Sequence, residues 1–208
     1  LTTYNMLKEV LKRIKSNYFA DKKLSWQQKW NTQKHTSSKK EIFQQIDSYL
    51  ESPPKNILDI GCGYAKESGF FYEKYNTSLF LLDGDPKNNK TNQERDIGFG
   101  KVEDFKFYTD IESLKRVYDS RNMKYTFIDA SMPKIPDIKF DLIYSLLSCG
   151  FHYPITNYIN LIKEHSDENS IVIIDVRKET FTQQSKYFKV INVIAEYKKH
   201  FKMHIQLK

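Results

Sequence analysis

Two closely spaced glycines and a later acid have the types and spacing of a nucleoside-binding site. In residues 56–85 the first apolar run breaks at Gly61 and Gly63, and the second apolar run ends on Asp83. Glycines one residue apart let the backbone turn with positive φ and let a ligand approach the main chain. An acid about 20 residues further on, at the tip of the next strand, can accept hydrogen bonds from ribose hydroxyls. These residues predict a strand, a glycine loop, a helix, a second strand and a ribose-binding carboxylate.

The rest of the glycine pattern narrows the class of nucleoside. A dinucleotide fingerprint needs a third glycine, so that a pyrophosphate can reach the helix N-terminus. Lys66 stands at that position. The phosphate-loop pattern of nucleoside triphosphate-binding proteins is absent from the sequence as well. Both differences argue against a nicotinamide or flavin cofactor and against a bound triphosphate.

The glycine segment resembles the first two motifs of the class I S-adenosylmethionine-dependent methyltransferases. It reads Asp-Ile-Gly-Cys-Gly over residues 59–63, and Asp83 closes the second strand. In that family the glycine loop passes beneath the methionine and ribose of the cofactor, and the acid binds the ribose. The alternative is an ordinary turn between strand and helix, in which glycine serves the backbone geometry alone. The resemblance implies S-adenosyl-L-methionine as the cofactor and these residues around it: Asp59, Gly61, Cys62, Gly63, Asp83 and Gly84.

A further acid follows the third predicted strand, Tyr125–Ile128. It is Asp129, and the small residue Ala130 comes next. The resemblance implies that these two residues meet the exocyclic amine and the ring edge of adenine. A carboxylate accepts hydrogen bonds from an amine, and a small neighbour leaves room for the ring. The alternative is an aspartate that caps the turn through Ser131.

The chain after the fourth predicted strand, Phe140–Ser145, carries the candidate catalytic residues. This strand resembles the F-D-[LIV]-[IV] strand of the family, and the resemblance places Ser145 at the cofactor. Residues 146–154 then form the edge at which the methyl group should face its acceptor. His152 is the candidate base for a hydroxyl acceptor, with Tyr153 beside it, because histidine titrates near neutral pH. The alternative is a structural histidine, which is the more common role of a lone histidine.

A helical arm or cap is expected over residues 1–55. Trp26 and Trp30 are four residues apart, so they lie on one face of a helix. Their position resembles the W-x-x-x-W segment of thiopurine-type methyltransferases, which implies that Trp30 closes over the cofactor. The alternative is a tryptophan pair that packs the arm onto the body. A second helix in this arm is expected to end at Pro53 and Pro54.

The predicted fold is α/β, with a doubly wound, mostly parallel seven-stranded sheet of the Rossmann-like methyltransferase type over residues 56–208. Short apolar runs rich in β-branched residues are typical of strands buried on both faces of a parallel sheet. A polar insertion at residues 86–110 is expected to form part of a lid over the acceptor. A helix is expected over residues 111–123. The chain is expected to close with a hairpin of residues 190–197 and 201–207.

Composition indicates a globular cytoplasmic protein. A hydrophobic share of 39% and an aromatic share of 14% exclude disorder of the whole chain, and no apolar run is long enough to span a bilayer. Two cysteines, one of them in the glycine loop, favour a reducing compartment, and no Cys/His cluster has the spacing of a metal site. The net charge is +7, with the basic excess at the two ends. Such basic ends are typical either of a surface that binds RNA phosphates or of charged faces exposed to solvent, and we favour the second interpretation.

Together these patterns predict an S-adenosylmethionine-dependent methyltransferase that acts on a small polar acceptor, such as the hydroxyl of a sugar or of a nucleotide-linked sugar. The tetrapeptide N/D-P-P-Y/F, by which many DNA amino methylases grip a flipped base, is absent. Two alternatives remain: an RNA methyltransferase, and a non-catalytic protein that binds the cofactor without turnover. The sequence leaves the oligomeric state open.

Overall fold

The structure is a computed structural model that describes residues 33–85 and 109–208. Residues 39–208 form one compact unit. The helices of the described residues are α1 (Gln33–Asp47), α2 (Lys66–Tyr75), α3 (Ile111–Ser120), α4 (Ile159–His165) and α5 (Phe181–Gln184). The strands are β1 (Asn56–Ile60), β2 (Ser78–Asp83), β3 (Tyr125–Asp129), β4 (Leu142–Ser145), β5 (Ile171–Arg177), β6 (Phe188–Glu196) and β7 (His200–Leu207).

The strands form one seven-stranded sheet in the order β3-β2-β1-β4-β5-β7-β6. The first five strands of that order are parallel, whereas β7 is antiparallel to both β5 and β6. The chain therefore lays β1, β2 and β3 in one direction and then returns to place β4 on the other side of β1. Such a reversal opens a crevice at the carboxyl ends of the two central strands. The predicted fold, including the antiparallel closing hairpin, is confirmed.

The central strands are buried because parallel strands are covered on both faces. In β1 every residue after Asn56 is buried, and all four residues of β4 are buried. One side of α3 is buried through Ile111, Leu114 and Val117, which are spaced as an amphipathic helix requires. The core thus fixes the carboxyl ends of β1, β2 and β4, where the candidate residues lie.

Three predicted boundaries are wrong by a few residues. The second helix ends at Asp47, ahead of the expected prolines, because the N–H groups of Tyr49 and Leu50 bond to carbonyls three residues earlier, in tighter turns. Helix α3 ends at Ser120, since Asn122 adopts a positive φ of 53°. The fourth strand begins at Leu142, because the N–H of Phe140 donates to the carbonyl of His165 instead of to a neighbouring strand.

Some predictions concern residues that the structure does not describe. Trp26, Trp30 and the first predicted helix lie outside the described residues, as do residues 86–108 of the proposed lid. Their assignments, and the boundary between arm and body at residue 55, stay predictions. Within residues 33–85 and 109–208, no helix has the length and apolar character that crossing a membrane requires.

A buried ion pair joins β5 to β7 beside this crevice. The ammonium of Lys202 lies 2.9 Å from a carboxylate oxygen of Asp175, and the two side chains are 1% and 3% exposed. A pair this deeply buried gives little net stabilisation, but loss of one partner leaves an uncompensated charge in the core. The two residues therefore depend on each other.

We expect Lys202→Met to lower the free energy of unfolding by about 3 kcal/mol, because Asp175 would then carry a buried charge without its cation. The matched control is Lys115→Met, which removes an exposed partner of Glu112 and should cost less than about 0.5 kcal/mol. Denaturant unfolding of both variants measures the difference. Equal losses in the two variants would contradict the assignment.

Candidate functional site

The glycine loop, residues 61–65, turns directly off the end of β1. Gly61 and Gly63 have φ values of 69° and 54°, in the left-handed region that favours glycine. The N–H groups of Gly61 and Cys62 donate to the carbonyl of Leu82, at 2.7 and 3.1 Å. A Cβ atom added to Gly63 would meet no atom of residues 33–85 and 109–208 within 4 Å, its two chain neighbours aside. Within the described part of the chain, the backbone at Gly63 therefore faces open space.

The carboxylate of Asp83 holds the glycine loop at the end of β2. It accepts hydrogen bonds from the N–H of Gly63 at 2.6 Å, from the N–H of Gly84 at 2.7 Å and from the hydroxyl of Thr109 at 3.2 Å. Burial raises the pKa of Asp83, and the two N–H groups oppose that rise. The acid found by its spacing thus lies beside the loop and also fixes its shape.

Asp59 lies beneath the loop, inside the protein. Its carboxylate is 3% exposed and accepts hydrogen bonds from the hydroxyls of Ser68 at 2.7 Å and Tyr144 at 3.0 Å. Burial raises its pKa to about 7, against the hydrogen bonds of both hydroxyls. Asp59 therefore joins β1, α2 and β4, and a direct contact between its side chain and the cofactor stays a prediction.

Asp129 and Ala130 follow β3 at the same edge of the sheet. Asp129 pairs with Asp83 in the register of β2 and β3, and the N–H of Ala130 donates to the carbonyl of Asp83 at 2.9 Å. One oxygen of Asp129 accepts from both the N–H and the hydroxyl of Ser131. The turn-capping alternative is thus present in the structure, and contact of Asp129 with adenine stays a prediction.

Ser145 joins the end of β4 to β1. Its fully buried hydroxyl donates to the carbonyl of Ile60 at 2.8 Å and accepts from the N–H of Cys149 at 2.9 Å. With these two partners inside the protein, Ser145 positions the chain that follows. Its predicted contact with the cofactor stays untested.

The β4 loop, residues 146–154, follows β4 at the carboxyl edge of the sheet and carries both candidate catalytic residues. The carbonyl of Ser148 accepts from the N–H groups of Phe151, His152 and Tyr153, at 3.0, 2.8 and 3.1 Å. The His152 ring packs edge-on against the Phe151 ring, with centroids 4.9 Å apart. Both His152 and Tyr153 remain partly exposed. Three N–H groups thus hold the backbone of the β4 loop at the Ser148 carbonyl, and His152 and Tyr153 stay partly exposed to solvent.

Residues of β5 and α5 hold the β4 loop from the other side. Asp175 accepts from the N–H of Leu147 at 3.1 Å, and the N–H of Arg177 donates to the carbonyl of Gly150 at 3.1 Å. The same carbonyl accepts from the side-chain amide of Gln184 at 2.8 Å. A Cβ on Gly150 would lie 2.9 Å from the carbonyl oxygen of Asp175, so only glycine allows this approach. The loop is fixed along much of its length.

The crevice thus unites most of the predicted residues. The predicted cofactor residues of the glycine loop, Gly61, Cys62 and Gly63, lie at the carboxyl edge with Asp83, Gly84, Asp129 and Ala130, and the β4 loop carries His152 and Tyr153. Trp30 lies outside the described residues, so the structure says nothing of it.

Sequence reasoning missed the supports Ser148, Asp175 and Gln184, for which no local motif gave a signal. Among the described residues, no group of three or more His, Cys, Asp or Glu side chains could hold a metal ion.

Comparisons with known proteins identify the fold. No protein-family model and no curated protein matches the chain. A ribosomal protein L11 methylase of Lactobacillus delbrueckii has a TM-score of 0.57 at 13% identity, over 84% of this chain and 80% of its own. The chain has the fold of the class I S-adenosylmethionine-dependent methyltransferases.

Two further solved structures share this methyltransferase fold with the chain. A Pyrococcus horikoshii protein has a TM-score of 0.58 at 13% identity, over 86% of this chain and 93% of its own. A TehB-like SAM-dependent methyltransferase of Corynebacterium glutamicum has a TM-score of 0.50 at 16% identity, over 80% and 86%. Identities this low establish the fold alone, because one fold supports many activities.

We expect Gly61→Ala to destabilise the protein much more than Gly63→Ala. A Cβ on Gly61 would lie 2.0 Å from the hydroxyl oxygen of Ser148 and 2.4 Å from its Cβ, so rotation of the hydroxyl does not relieve the clash. Overpacking adds about 1–3 kcal/mol to the strain of roughly 1–2 kcal/mol that both substitutions share. Denaturant unfolding measures both losses. The double variant Gly61→Ala/Ser148→Gly should recover the clash energy, and full additivity of its two substitutions would contradict the contact.

The buried carboxyl of Asp59 should make stability fall as the pH rises. In the folded state the Asp59 carboxyl stays protonated up to about pH 7, whereas an aspartate in the unfolded chain loses its proton near pH 4. The free energy of unfolding therefore decreases between these values. Asp59→Asn keeps an oxygen acceptor and does not titrate, so its stability relative to wild type should rise by on the order of 2–3 kcal/mol from pH 5 to pH 8. A difference independent of pH, measured by denaturant unfolding, would show that Asp59 is already charged at pH 5.

Proposed function

We propose that the chain is an S-adenosylmethionine-dependent methyltransferase whose acceptor is a hydroxyl of a small polar molecule, such as a sugar or a nucleotide-linked sugar. One observation carries the proposal. The glycine loop held by Asp83 lies beside the loop that carries His152 and Tyr153, across the reversal between β1 and β4 of a methyltransferase fold. This arrangement supports a nucleoside site and a proton acceptor in one crevice.

The residues present fit the cofactor. The open space at Gly63 leaves its backbone approachable, and a side chain at that position would fill it. One oxygen of Asp83 accepts a single N–H, from Gly84, so it retains capacity for a ribose hydroxyl. Ala130 places a small side chain next to Asp83, where a base needs room. Asp83 would hold the ribose, while Gly63 would let the cofactor lie against the main chain.

The β4 loop supplies the acceptor side. When bound, the cofactor provides a methyl group on a sulfonium, which is already a good leaving group, so the protein chiefly positions the acceptor and excludes water. A hydroxyl acceptor must lose its proton as its oxygen takes the methyl group, and the neutral imidazole of His152 can accept that proton. Tyr153 would orient the acceptor beside it. The hydrogen bond that the loop donates to Asp175 and those that it accepts from Arg177 and Gln184 keep it in place for both tasks.

Calorimetric titration with S-adenosylmethionine and S-adenosylhomocysteine tests the proposal. We expect wild type to bind both, and Asp83→Ala to bind them at least about tenfold more weakly, roughly 1.4 kcal/mol. Asp83→Asn keeps one acceptor oxygen, which can serve the N–H of Gly63 but not also that of Gly84, so it should weaken cofactor binding while retaining part of the loop support. The matched control is Asp137→Ala, an exposed acid that should leave both affinities unchanged.

Absence of binding by wild type would overturn the proposal. If binding is found, incubation with sugars, nucleotide-linked sugars and RNA, followed by mass spectrometry, identifies the methylated class. Methylation of RNA with a steep salt dependence would replace the small-acceptor proposal, because phosphate contacts release counterions. Binding without methylation of any acceptor would favour a non-catalytic protein.

A further inference from the structure

Ser148 occupies the space that a side chain on Gly61 would need. Its hydroxyl oxygen lies 2.0 Å, and its Cβ 2.4 Å, from the position of a Cβ built on Gly61. The glycine loop and the β4 loop therefore touch at this pair. Because Gly61 has no side chain, the Ser148 hydroxyl can lie at the junction of the two loops.

The hydroxyl of Ser148 has hydrogen-bonding capacity to spare, although its backbone is firmly held. Its carbonyl accepts three N–H groups of the β4 loop. Within residues 33–85 and 109–208, no group forms a hydrogen bond with its hydroxyl. The nearby hydroxyl of Ser145 has both a donor and an acceptor partner. A partly buried hydroxyl on a rigid backbone, without a partner in the described protein, is suited to bind a ligand.

The strand order places Ser148 on one particular side of a bound nucleoside. Along this edge the strands run β3, β2, β1, β4. A nucleoside with its base at Ala130 after β3 and its ribose at Asp83 after β2 directs its 5′ substituent toward β1 and β4. Neighbouring strands are about 4.8 Å apart, so β4 lies about 10 Å from β2. Ser148 follows β4 and rests against Gly61 after β1, where that substituent would lie.

We propose that the Ser148 hydroxyl binds the amino-acid end of the cofactor and makes the site selective for nucleosides that carry it. This inference rests on the proposed function. A hydroxyl donates to a carboxylate and accepts from an ammonium, so it recognises either charged group of a zwitterionic 5′ substituent. Asp83 recognises the ribose that all these nucleosides share, whereas Ser148 recognises the part in which they differ.

Calorimetric titration of Ser148→Ala with two probes tests the inference. S-adenosylhomocysteine carries the amino-acid group, and 5′-methylthioadenosine lacks it. We expect Ser148→Ala to weaken S-adenosylhomocysteine binding about tenfold and to leave 5′-methylthioadenosine binding unchanged, because a hydrogen bond to a charged group is lost only in the first complex. Asp83→Ala should weaken both. The control Ser120→Ala removes a hydroxyl that donates to Val117 at the end of α3 and should change neither affinity.

Two results would overturn the inference while the proposed function stands: wild type and Ser148→Ala bind S-adenosylhomocysteine equally, or Ser148→Ala weakens both probes to the same extent. The second result would mean that the hydroxyl only supports the packing of the loops. Failure of wild type to bind S-adenosylhomocysteine would overturn the proposed function, and this inference with it. Unfolding curves for Ser148→Ala should match wild type, since the retained Cβ keeps its contact with Gly61.

Discussion

The hydrogen bond from the N–H of Gly63 to the carboxylate of Asp83 is the constraint on which the glycine-loop side of the crevice depends. The loop after β1 has left-handed glycines and no regular structure to hold it. Asp83 fixes this loop from the neighbouring strand and takes the N–H of Gly84 as well. Its position is in turn set by the parallel pairing of β1 with β2. Loop shape and the proposed recognition of ribose are therefore assigned to one carboxylate.

The β4-loop side of the crevice depends on a different support. The β4 loop donates a hydrogen bond to Asp175 and accepts hydrogen bonds from Arg177 and Gln184, and it meets the glycine loop where Ser148 rests on Gly61. Because β4 and β1 are adjacent only after the chain has reversed direction, the two loops meet although they lie far apart in the sequence. The topology thus creates the contact.

Local patterns predicted the fold and the proximity of the glycine loop to Asp83. The glycines and Asp83 were found because strand, loop and acid follow one another along the chain, so that spacing alone encodes their proximity. The sheet followed from apolar runs. Asp59 sits in the same motif, but its contacts with Ser68 and Tyr144 depend on the tertiary placement of α2 and β4. Ser148 and Gln184 could not be predicted, because their partners are distant in sequence and carry no motif. The early end of α1 reflects tight turns that hydrophobic spacing does not encode.

The pair formed by Asp175 and Lys202 also links the antiparallel end of the sheet to the β4 loop. The two residues are 27 positions apart, and Lys202 lies on β7, which follows every other strand of the sheet in sequence. Ionised aspartate resists burial without a counter-charge, and the other oxygen of Asp175 accepts the N–H of Leu147 in the β4 loop. Pairing of β7 with β5 therefore brings the ammonium that lets a buried Asp175 hold that loop. The last strand of the sheet in sequence thus supports the crevice electrostatically, through a carboxylate that it shares with the β4 loop.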